Sequence, residues 1–182
     1  TTNGTASIQL SGTLTAINTL LATAGGVSYM PATNYNGSDK LTMFTTDGGN
    51  SGTGGTLSDT HEMAITVNPV NDAPVNTVPG AQSTNEDTAK VITGLTIADA
   101  DAGTGTLTVT LAVGHGTLAV SGGTATITNS GTSSVTITGT LTQINATLSA
   151  TNGVTYSPAL NYNGADTLTM TTNDGGNTSV DG

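Results

Sequence analysis

Carboxylate side chains are the groups in this sequence whose types and spacing could do chemistry. The 182 residues include twelve acids and only two bases, Lys40 and Lys90, which gives a formal net charge of −10. Asp99 and Asp101 lie two positions apart, and residues i and i+2 of an extended chain point to the same side. These two carboxylates are therefore expected on one side of a loop, and without a basic residue nearby in the sequence they need a cation.

Calcium is the cation that the composition favours. Ca²⁺ takes about six to eight oxygen ligands from carboxylates, amide side chains and carbonyls, and the chain is rich in all three. Hydrophobic residues make up 34% of the sequence and aromatic residues 3%, so we expect a thin core. The chain has no Cys that could form a disulfide. A bound cation is the remaining means of stabilising such a core.

The charge balance and the composition argue against several classes of function. Nucleic acids and anionic lipid surfaces attract basic patches, which two lysines cannot supply, and no apolar run is long enough to span a bilayer. His61 and His115 lie in different sequence contexts, without a nucleophile and an acid at a catalytic spacing. We expect no catalytic residue, no organic cofactor and no enzyme activity.

The elements that must position the acids belong to an internal repeat. Residues 1–55 align with residues 128–182 at an offset of 127 positions, with 30 identities in 55 pairs and no gap. A period of this length is a whole domain, because solenoid units are roughly 20–50 residues long. We expect residues 1–70 to be the C-terminal part of one repeat, incomplete by itself, and residues 71–182 to be most of the next. The junction is a proline-bracketed linker at residues 68–74.

Alternation of apolar residues with threonine predicts an all-β fold. The chain contains 41 Thr, a β-branched residue that suits strands, and 25 Gly, which mark turns. Short strands separated by turns are typical of a sandwich. Helical spacing of Leu and Ile predicts one short helix per repeat, at residues 14–22 and 141–149. The predicted strands lie near residues 8–10, 63–67, 91–97, 107–113, 117–120, 124–128, 135–137, 154–157 and 167–171.

Four acids occupy equivalent positions in the two copies. Asp47 and Asp174 begin Asp-Gly-Gly-Asn runs, which form turns readily but which could also place the carboxylate on calcium, and we favour calcium for both. Asp39 and Asp166 follow an Asn-Tyr-Asn-Gly corner, where we expect them to accept backbone hydrogen bonds. The tyrosine of each corner is expected to bury its ring and to hydrogen-bond its hydroxyl.

The order of these motifs resembles that of cadherin-like repeats in very large bacterial surface and secreted adhesins of the RTX type. The resemblance covers nearly the whole chain. Each stretch that carries it is a weak signal alone, and their shared order makes the resemblance fairly specific. The stretches are Asn71-Asp72-Ala73-Pro74, Asn85-Glu86-Asp87, Ala98-Asp99-Ala100-Asp101, the corner Asn161-Tyr162-Asn163-Gly164, and Asn173-Asp174-Gly175-Gly176.

The resemblance implies a tandem Greek-key β-sandwich of the cadherin or immunoglobulin type, with Ca²⁺ at the junctions between repeats. Glu86 would serve the next junction along the chain. The chain lacks the Asp-Arg-Glu motif of animal cadherins, so fewer ions per junction are expected than in that group. The ligand set that the resemblance implies for the junction at residues 68–74 is Asn71, Asp72, Asp99, Asp101 and Asp174.

The repeat, the acids and the resemblance together predict a calcium-stiffened spacer or adhesion repeat of a large extracellular, cell-surface protein. Its partners would be neighbouring repeats of the same chain. Two other functions stay open: a subunit of an extracellular filament that strand pairing between copies completes, and a sandwich module that binds a surface glycan. Interchain pairing at residues 1–70 would favour the filament. A pocket with aromatic and amide side chains away from the junction would favour the glycan.

Overall fold

The structure is a computed structural model that describes residues 6–49 and 53–178. The chain divides into two compact units between Thr33 and Asn34. The first unit is built around one helix, and the second contains a long hairpin followed by several short antiparallel strands and a second helix.

The helix of the first unit is α1 (Leu14–Ala22). Its N-cap residue, Thr13, accepts a hydrogen bond from the Ala16 backbone N–H at 3.3 Å, which satisfies one of the donors that a helix start leaves open. At the other end, the Thr23 N–H donates to the Leu20 carbonyl at 3.1 Å. Among the described residues, none in α1 is buried, so the cap and the helical hydrogen bonds are its main local support.

The second unit begins with a two-stranded hairpin. Strands β1 (Gly37–Thr46) and β2 (Ser58–Val67) pair antiparallel along their whole length. Gly37 lies opposite Val67 at the open end, and Thr46 lies opposite Ser58 next to the connecting turn. No residue of either strand is buried within the described part of the chain. This hairpin therefore lacks a packed face, and an isolated ladder of two strands is only marginally stable in water.

The rest of the second unit is built from short strands, all of which pair antiparallel. The strands are β3 (Val75–Thr77), β4 (Lys90–Val91), β5 (Thr96–Ala98), β6 (Leu107–Ala112), β7 (Gly116–Val120), β8 (Thr126–Thr128), β9 (Ser134–Gly139), β10 (Val154–Pro158) and β11 (Thr169–Asn173). One sheet has the order β11-β6-β9-β8, a second has the order β4-β10-β7, and β3 pairs with β5.

One apolar core joins the two larger sheets. Alternate residues of β6 point into it, and Leu107, Val109 and Leu111 are fully buried. Leu118 of β7 and Val154 of β10, which belong to the three-stranded sheet, are equally buried in the same cluster. Two antiparallel sheets that share a core in this way are consistent with a β-sandwich.

Helix α2 (Leu141–Leu148) packs on β5 and β9. It begins with a capping box, in which the Thr140 and Gln143 side chains each accept a hydrogen bond from the other residue's backbone N–H. Ile144 and Leu148 lie on one face of the helix and are buried in the core. The helix is therefore fixed both at its start and along one side.

A side-chain clamp ties α2 to β5. The Ile97 backbone N–H donates to Asn145 Oδ1 at 2.9 Å, and Asn145 Nδ2 donates to the Ile97 carbonyl at 2.9 Å. The amide group thus pairs with the backbone as a neighbouring strand would, and it satisfies both polar groups of a strand residue whose side chain is buried.

The prediction of a mostly β chain with one short helix in each copy is confirmed. The strand predicted over residues 91–97 is wrong in detail: Gly94, with a φ of 85°, lies in a gap between β4 and β5. The strand predicted from residue 167 begins only at Thr169. The strand predicted at residues 8–10 is wrong, because these residues pair with no described strand. Residues 68–74 carry neither strand nor helix, and the division into repeats at this junction stays a prediction.

Candidate metal centre

Asp99 and Asp101 lie in a tight loop directly after β5. Asp99 Oδ1 accepts hydrogen bonds from the backbone N–H groups of Asp101 at 3.1 Å and Ala102 at 2.9 Å, a local pattern that stabilises turns. Asp101 Oδ2 accepts a hydrogen bond from the Asp72 N–H at 3.1 Å. The loop is therefore bonded to the linker at residues 68–74.

Asp174 and Asn71 form the second part of the same network. Asn71 Nδ2 donates to Asp174 Oδ2 at 2.8 Å, and the Gly176 N–H donates to Asp174 Oδ1 at 3.0 Å. The two glycines of this turn have φ values of 70° and 75°, a conformation that glycine adopts readily. Because Asn71 and Asp72 are consecutive, one stretch of linker contacts both Asp174 and Asp101.

Two carboxylate oxygens of this network are buried without a hydrogen-bond partner among the described residues. They are Asp99 Oδ2 and Asp101 Oδ1, and only 6% of Asp101 is exposed. An unpartnered buried polar group costs about 1–3 kcal/mol, and more when it is charged. The pair of aspartates therefore favours a proton or a cation at this position.

The titration behaviour of the network points the same way. Burial raises the pKa of Asp99, and the nearby Asp101 carboxylate raises it further. The hydrogen bonds that Asp99 accepts from the backbone N–H groups of Asp101 and Ala102 act in the opposite direction and lower the pKa. The pKa of Asp174 is lowered by the Gly176 N–H and then by the Asn71 amide. One carboxyl that resists ionisation thus belongs to the same network as one that ionises readily. A divalent cation would favour the ionised form of both.

The donor atoms fit a hard cation such as Ca²⁺. Carboxylate and amide oxygens without His or Cys are the ligands that calcium prefers. Within the described residues, no three acidic or histidine side chains are already placed around one common point, so coordination requires some of them to turn. The hydrogen-bond network contains five of the seven predicted ligands: Asn71, Asp99, Asp101 and Asp174 take part through their side chains, and Asp72 takes part through its backbone N–H.

The other two predicted ligands, Glu86 and Asp47, have different surroundings. Glu86 Oε2 accepts a hydrogen bond from Asn163 Nδ2 at 3.4 Å. Asp47 Oδ1 accepts hydrogen bonds from the backbone N–H groups of Gly49 at 2.9 Å and Leu57 at 3.0 Å. Both hydrogen bonds lower the pKa of Asp47, and the bond from Gly49 has the larger effect. Both side chains are exposed, and their roles as calcium ligands stay predictions.

Asp166 forms a second carboxylate centre. Its Oδ1 accepts the backbone N–H groups of Gly114 and Thr167, each at 2.8 Å, and its Oδ2 accepts the His115 N–H and the Tyr156 hydroxyl, each at 2.9 Å. Burial alone would raise the pKa of Asp166, but these donors, led by the His115 N–H, lower it. The prediction that Asp166 accepts backbone hydrogen bonds at a corner is confirmed.

The sequence did not lead us to predict that Tyr156 belongs to this centre. Burial and the hydrogen bond to Asp166 raise the pKa of Tyr156 to about 12, so the hydroxyl stays a donor over the whole physiological range. A signal for it was present in the sequence, because the aligned position in the first copy is also tyrosine, Tyr29. An identical aromatic residue in two copies of a chain with only four Tyr indicates a structural role.

The corner tyrosines bear out their prediction in part. The Tyr162 hydroxyl donates to the Ala165 carbonyl and the Tyr35 hydroxyl to the Ser38 carbonyl, both at 2.6 Å. The Tyr162 ring is partly covered and stacks on His115 with the ring centres 4.3 Å apart. Tyr35 is 36% exposed, so the predicted burial of the ring is wrong for the first copy.

Comparisons of this chain with protein-family models, with curated proteins and with solved structures found no match. Neither helix in the described part of the chain has the length and apolar character needed to cross a membrane.

Proposed function

We propose that this chain is a structural repeat of a large extracellular surface protein, in which Ca²⁺ at the linker stiffens the connection between successive domains. The observation that carries the proposal is the pair of buried, unpartnered oxygens, Asp99 Oδ2 and Asp101 Oδ1, in a network that also contains two linker residues. In this proposal the sandwich is of the Greek-key, cadherin-like type.

The residues of the network have separate roles in this proposal. Asp99 and Asp101 supply the charges that lack a partner, and Asp174 supplies a carboxylate that is already ionised. Asn71 and Asp72 connect these acids to the linker. The ion supplies positive charge to the network, since among the described residues Lys40 pairs with Glu62 and no ion pair joins either lysine to these acids. With the charges balanced, the linker is fixed on the following domain, and without calcium the like charges repel one another.

The first experiment measures thermal unfolding of the chain in calcium and in chelator. Extracellular calcium modules bind with dissociation constants of about 10⁻⁴–10⁻³ M. A free calcium concentration about ten times the dissociation constant stabilises the folded state by about 1.4 kcal/mol. That corresponds to a rise in the midpoint of roughly 5–10 °C for a domain of about 100 residues. Equal midpoints in calcium and chelator would remove calcium from the proposal.

The Asp101→Asn variant tests the site itself, because the effect should change sign. In calcium, we expect Asp101→Asn to lower the midpoint by removing a ligand. In chelator at pH 7, we expect it to raise the midpoint, because it removes a like charge beside Asp99. The exposed Asp59→Asn is the matched control, with no effect in either condition. A loss of stability from Asp101→Asn that is equal in calcium and chelator would mean that the aspartate is purely structural.

The dependence on pH follows from the raised pKa of Asp99. The folded protein holds this proton more tightly than the unfolded chain does, so ionisation of Asp99 lowers the free energy of unfolding. This loss of stability is complete above the folded-state pKa and disappears as the pH falls below the ordinary value of 3.8. In chelator, the stability difference between the wild type and Asp101→Asn should therefore shrink in acid. In saturating calcium this part of the pH dependence should be absent.

A further inference from the structure

Asn177 ends the turn that carries Asp174, and its side chain closes that turn. The turn directly follows β11. Asn177 Nδ2 donates to the Asp174 carbonyl, and the Asn177 backbone N–H donates to the same carbonyl at 3.4 Å. The Asp174 carboxylate is held separately, by the Gly176 N–H at 3.0 Å and the Asn71 amide at 2.8 Å. The acid of this turn is therefore fixed both at its backbone and at its side chain.

The same side chain also reaches a second loop. Asn177 Nδ2 donates to the Thr106 carbonyl at 2.9 Å, so both hydrogens of the amide are used. Thr106 is the last residue of the loop between β5 and β6, and this loop carries Asp99 and Asp101. Within the described residues, no other side-chain hydrogen bond joins the turn to this loop. Asn177 is therefore the direct side-chain link between the two acidic segments.

The ladder between β6 and β11 stops short of both segments. Its last pair is Asn173 opposite Thr108, one residue before Asp174 and two residues after Thr106. Past this pair, the rungs of the sheet no longer hold the turn against the loop. Asn177 continues the connection beyond the ladder, with a side chain in place of a strand.

The close approach of Asn177 to the loop depends on a glycine. A Cβ atom at Gly105 would lie 2.3 Å from Asn177 Cγ and 2.5 Å from Asn177 Nδ2, well inside the contact distance of about 3.5–4.0 Å between carbon atoms. Gly105 does not have a positive φ, so its backbone would accept alanine and only the space would not. Alanine at this position would therefore push the Asn177 amide away from the Thr106 carbonyl.

A cation shared by the two segments would need their carboxylates at a fixed separation. Asp99 Oδ2 and Asp101 Oδ1 are buried without a partner among the described residues, and Asp174 brings its carboxylate from the other segment. Asn177 Nδ2 donates to backbone carbonyls and not to these carboxylates, so its effect on an ion comes through the position of Asp174. Loss of a group that orients a ligand in this way commonly weakens metal binding about 10- to 100-fold.

We propose that Asn177 is a positioning residue of the calcium centre, which holds the Asp174 carboxylate at the distance from the other two aspartates that one shared ion requires. This inference rests on the proposed calcium function and adds a residue outside the predicted ligand set. The linker forms one bridge between the two acidic segments through Asn71 and Asp72, and Asn177 forms the second. Its removal leaves every ligand present but less well placed, so the affinity for calcium falls.

Calcium titration of the whole chain by isothermal calorimetry tests this role. We expect Asn177→Ala to raise the dissociation constant of calcium about tenfold. Asn173→Ala is the matched control, because Asn173 Oδ1 accepts the Gly175 N–H at 2.6 Å within the same turn and does not bond the loop. It should change the constant by less than about threefold. Equal constants for the wild type and Asn177→Ala would overturn the positioning role.

The Gly105→Ala variant tests the same link without changing Asn177. Because its Cβ atom displaces the Asn177 amide, we expect it to raise the dissociation constant about tenfold as well. In the double variant, Gly105→Ala should add less than about threefold to the effect of Asn177→Ala, since the two changes remove one shared contact. Two losses that multiply in full would mean that the residues act separately, and would overturn the link.

Thermal unfolding separates positioning from a general loss of structure. We expect Asn177→Ala to lower the midpoint more in calcium than in chelator, because weaker binding stabilises the folded state less. An equal decrease in both conditions, with the dissociation constant unchanged, would make Asn177 purely structural. A wild type that binds no calcium would overturn the proposed function together with this role, whereas calcium binding that Asn177→Ala leaves unchanged would overturn this role alone.

Discussion

Helices α1 and α2 have closely related sequences and different surroundings. Both begin Leu-Thr-x-Ile-Asn directly after a capping threonine. In α2, Leu148 is 2% exposed, whereas the aligned Leu21 of α1 is 39% exposed. Asn145 clamps the backbone of Ile97, whereas the aligned Asn18 is exposed. The helix itself forms in both copies, and only one copy packs it.

The acidic corners of the two copies differ in the same way. Asp166 accepts four hydrogen bonds, from Gly114, His115, Tyr156 and Thr167. In the first copy, Asp39 is exposed and accepts the N–H of the next residue at 2.7 Å. Local sequence therefore specifies helices, turns and corners in both copies, and the strands between residues 75 and 120 supply the burial that stabilises one of them.

The largest expected difference between the copies is in core truncation. Leu148→Ala removes a buried side chain and should lower the free energy of unfolding by about 2–5 kcal/mol. Leu21→Ala makes the same chemical change at the aligned exposed position and should change it by less than about 1 kcal/mol. Urea unfolding followed by circular dichroism measures both. Equal losses would mean that the first copy is packed as tightly in solution as the second.

The next difference is at the acidic corners. Asp166→Asn turns one acceptor into a donor that faces N–H and O–H groups, and it should cost about 1–3 kcal/mol at neutral pH. Asp39→Asn, its matched control, should stay within about 0.5 kcal/mol.

The lowered pKa of Asp166 adds a pH signature to this pair. Its contribution to stability is full above the ordinary pKa of 3.8 and is lost as the pH falls through the folded-state pKa, so the cost of Asp166→Asn should shrink in acid. A cost that is constant from pH 7 to pH 2 would assign the effect to packing instead of charge.

The smallest difference is expected at the helix caps. Thr140→Ala removes one half of a capping box on a packed helix and should cost about 1 kcal/mol of global stability. Thr13→Ala removes a single cap bond from a helix without buried residues. It should leave the cooperative unfolding transition unchanged and reduce only the helical signal of the folded state, because an isolated helix of this length is marginal. A global loss from Thr13→Ala would show that α1 is coupled to the rest of the fold.

The elements that the sequence predicted well are those with local signals. Both helices were predicted from the helical spacing of Leu and Ile, and the strand at residues 107–113 was predicted from its alternation. The strand predicted from residue 167 failed because its start depends on a neighbour that is remote in sequence. The aligned residues of the first copy, 37–41, are strand and pair with β2.

The candidate metal centre was predictable to a similar depth. The spacing of Asp99 and Asp101 predicted two carboxylates on one loop, and the resemblance to cadherin-like repeats added Asp72 and Asp174. Which oxygens lack a partner depends on the three-dimensional path of the linker, as does the bond between Asn71 and Asp174. Neither leaves a periodic or compositional signal in the chain.

The pairing of Gly37 with Val67 places both ends of the β1–β2 hairpin at one edge. A pulling force transmitted through the chain at these two residues acts across the first rung alone, so the rungs break one after another like a zipper. A strand drawn lengthwise between two neighbours loads many rungs simultaneously and resists much larger forces. The hairpin by itself is therefore a compliant element, and its mechanical strength depends on what flanks β2.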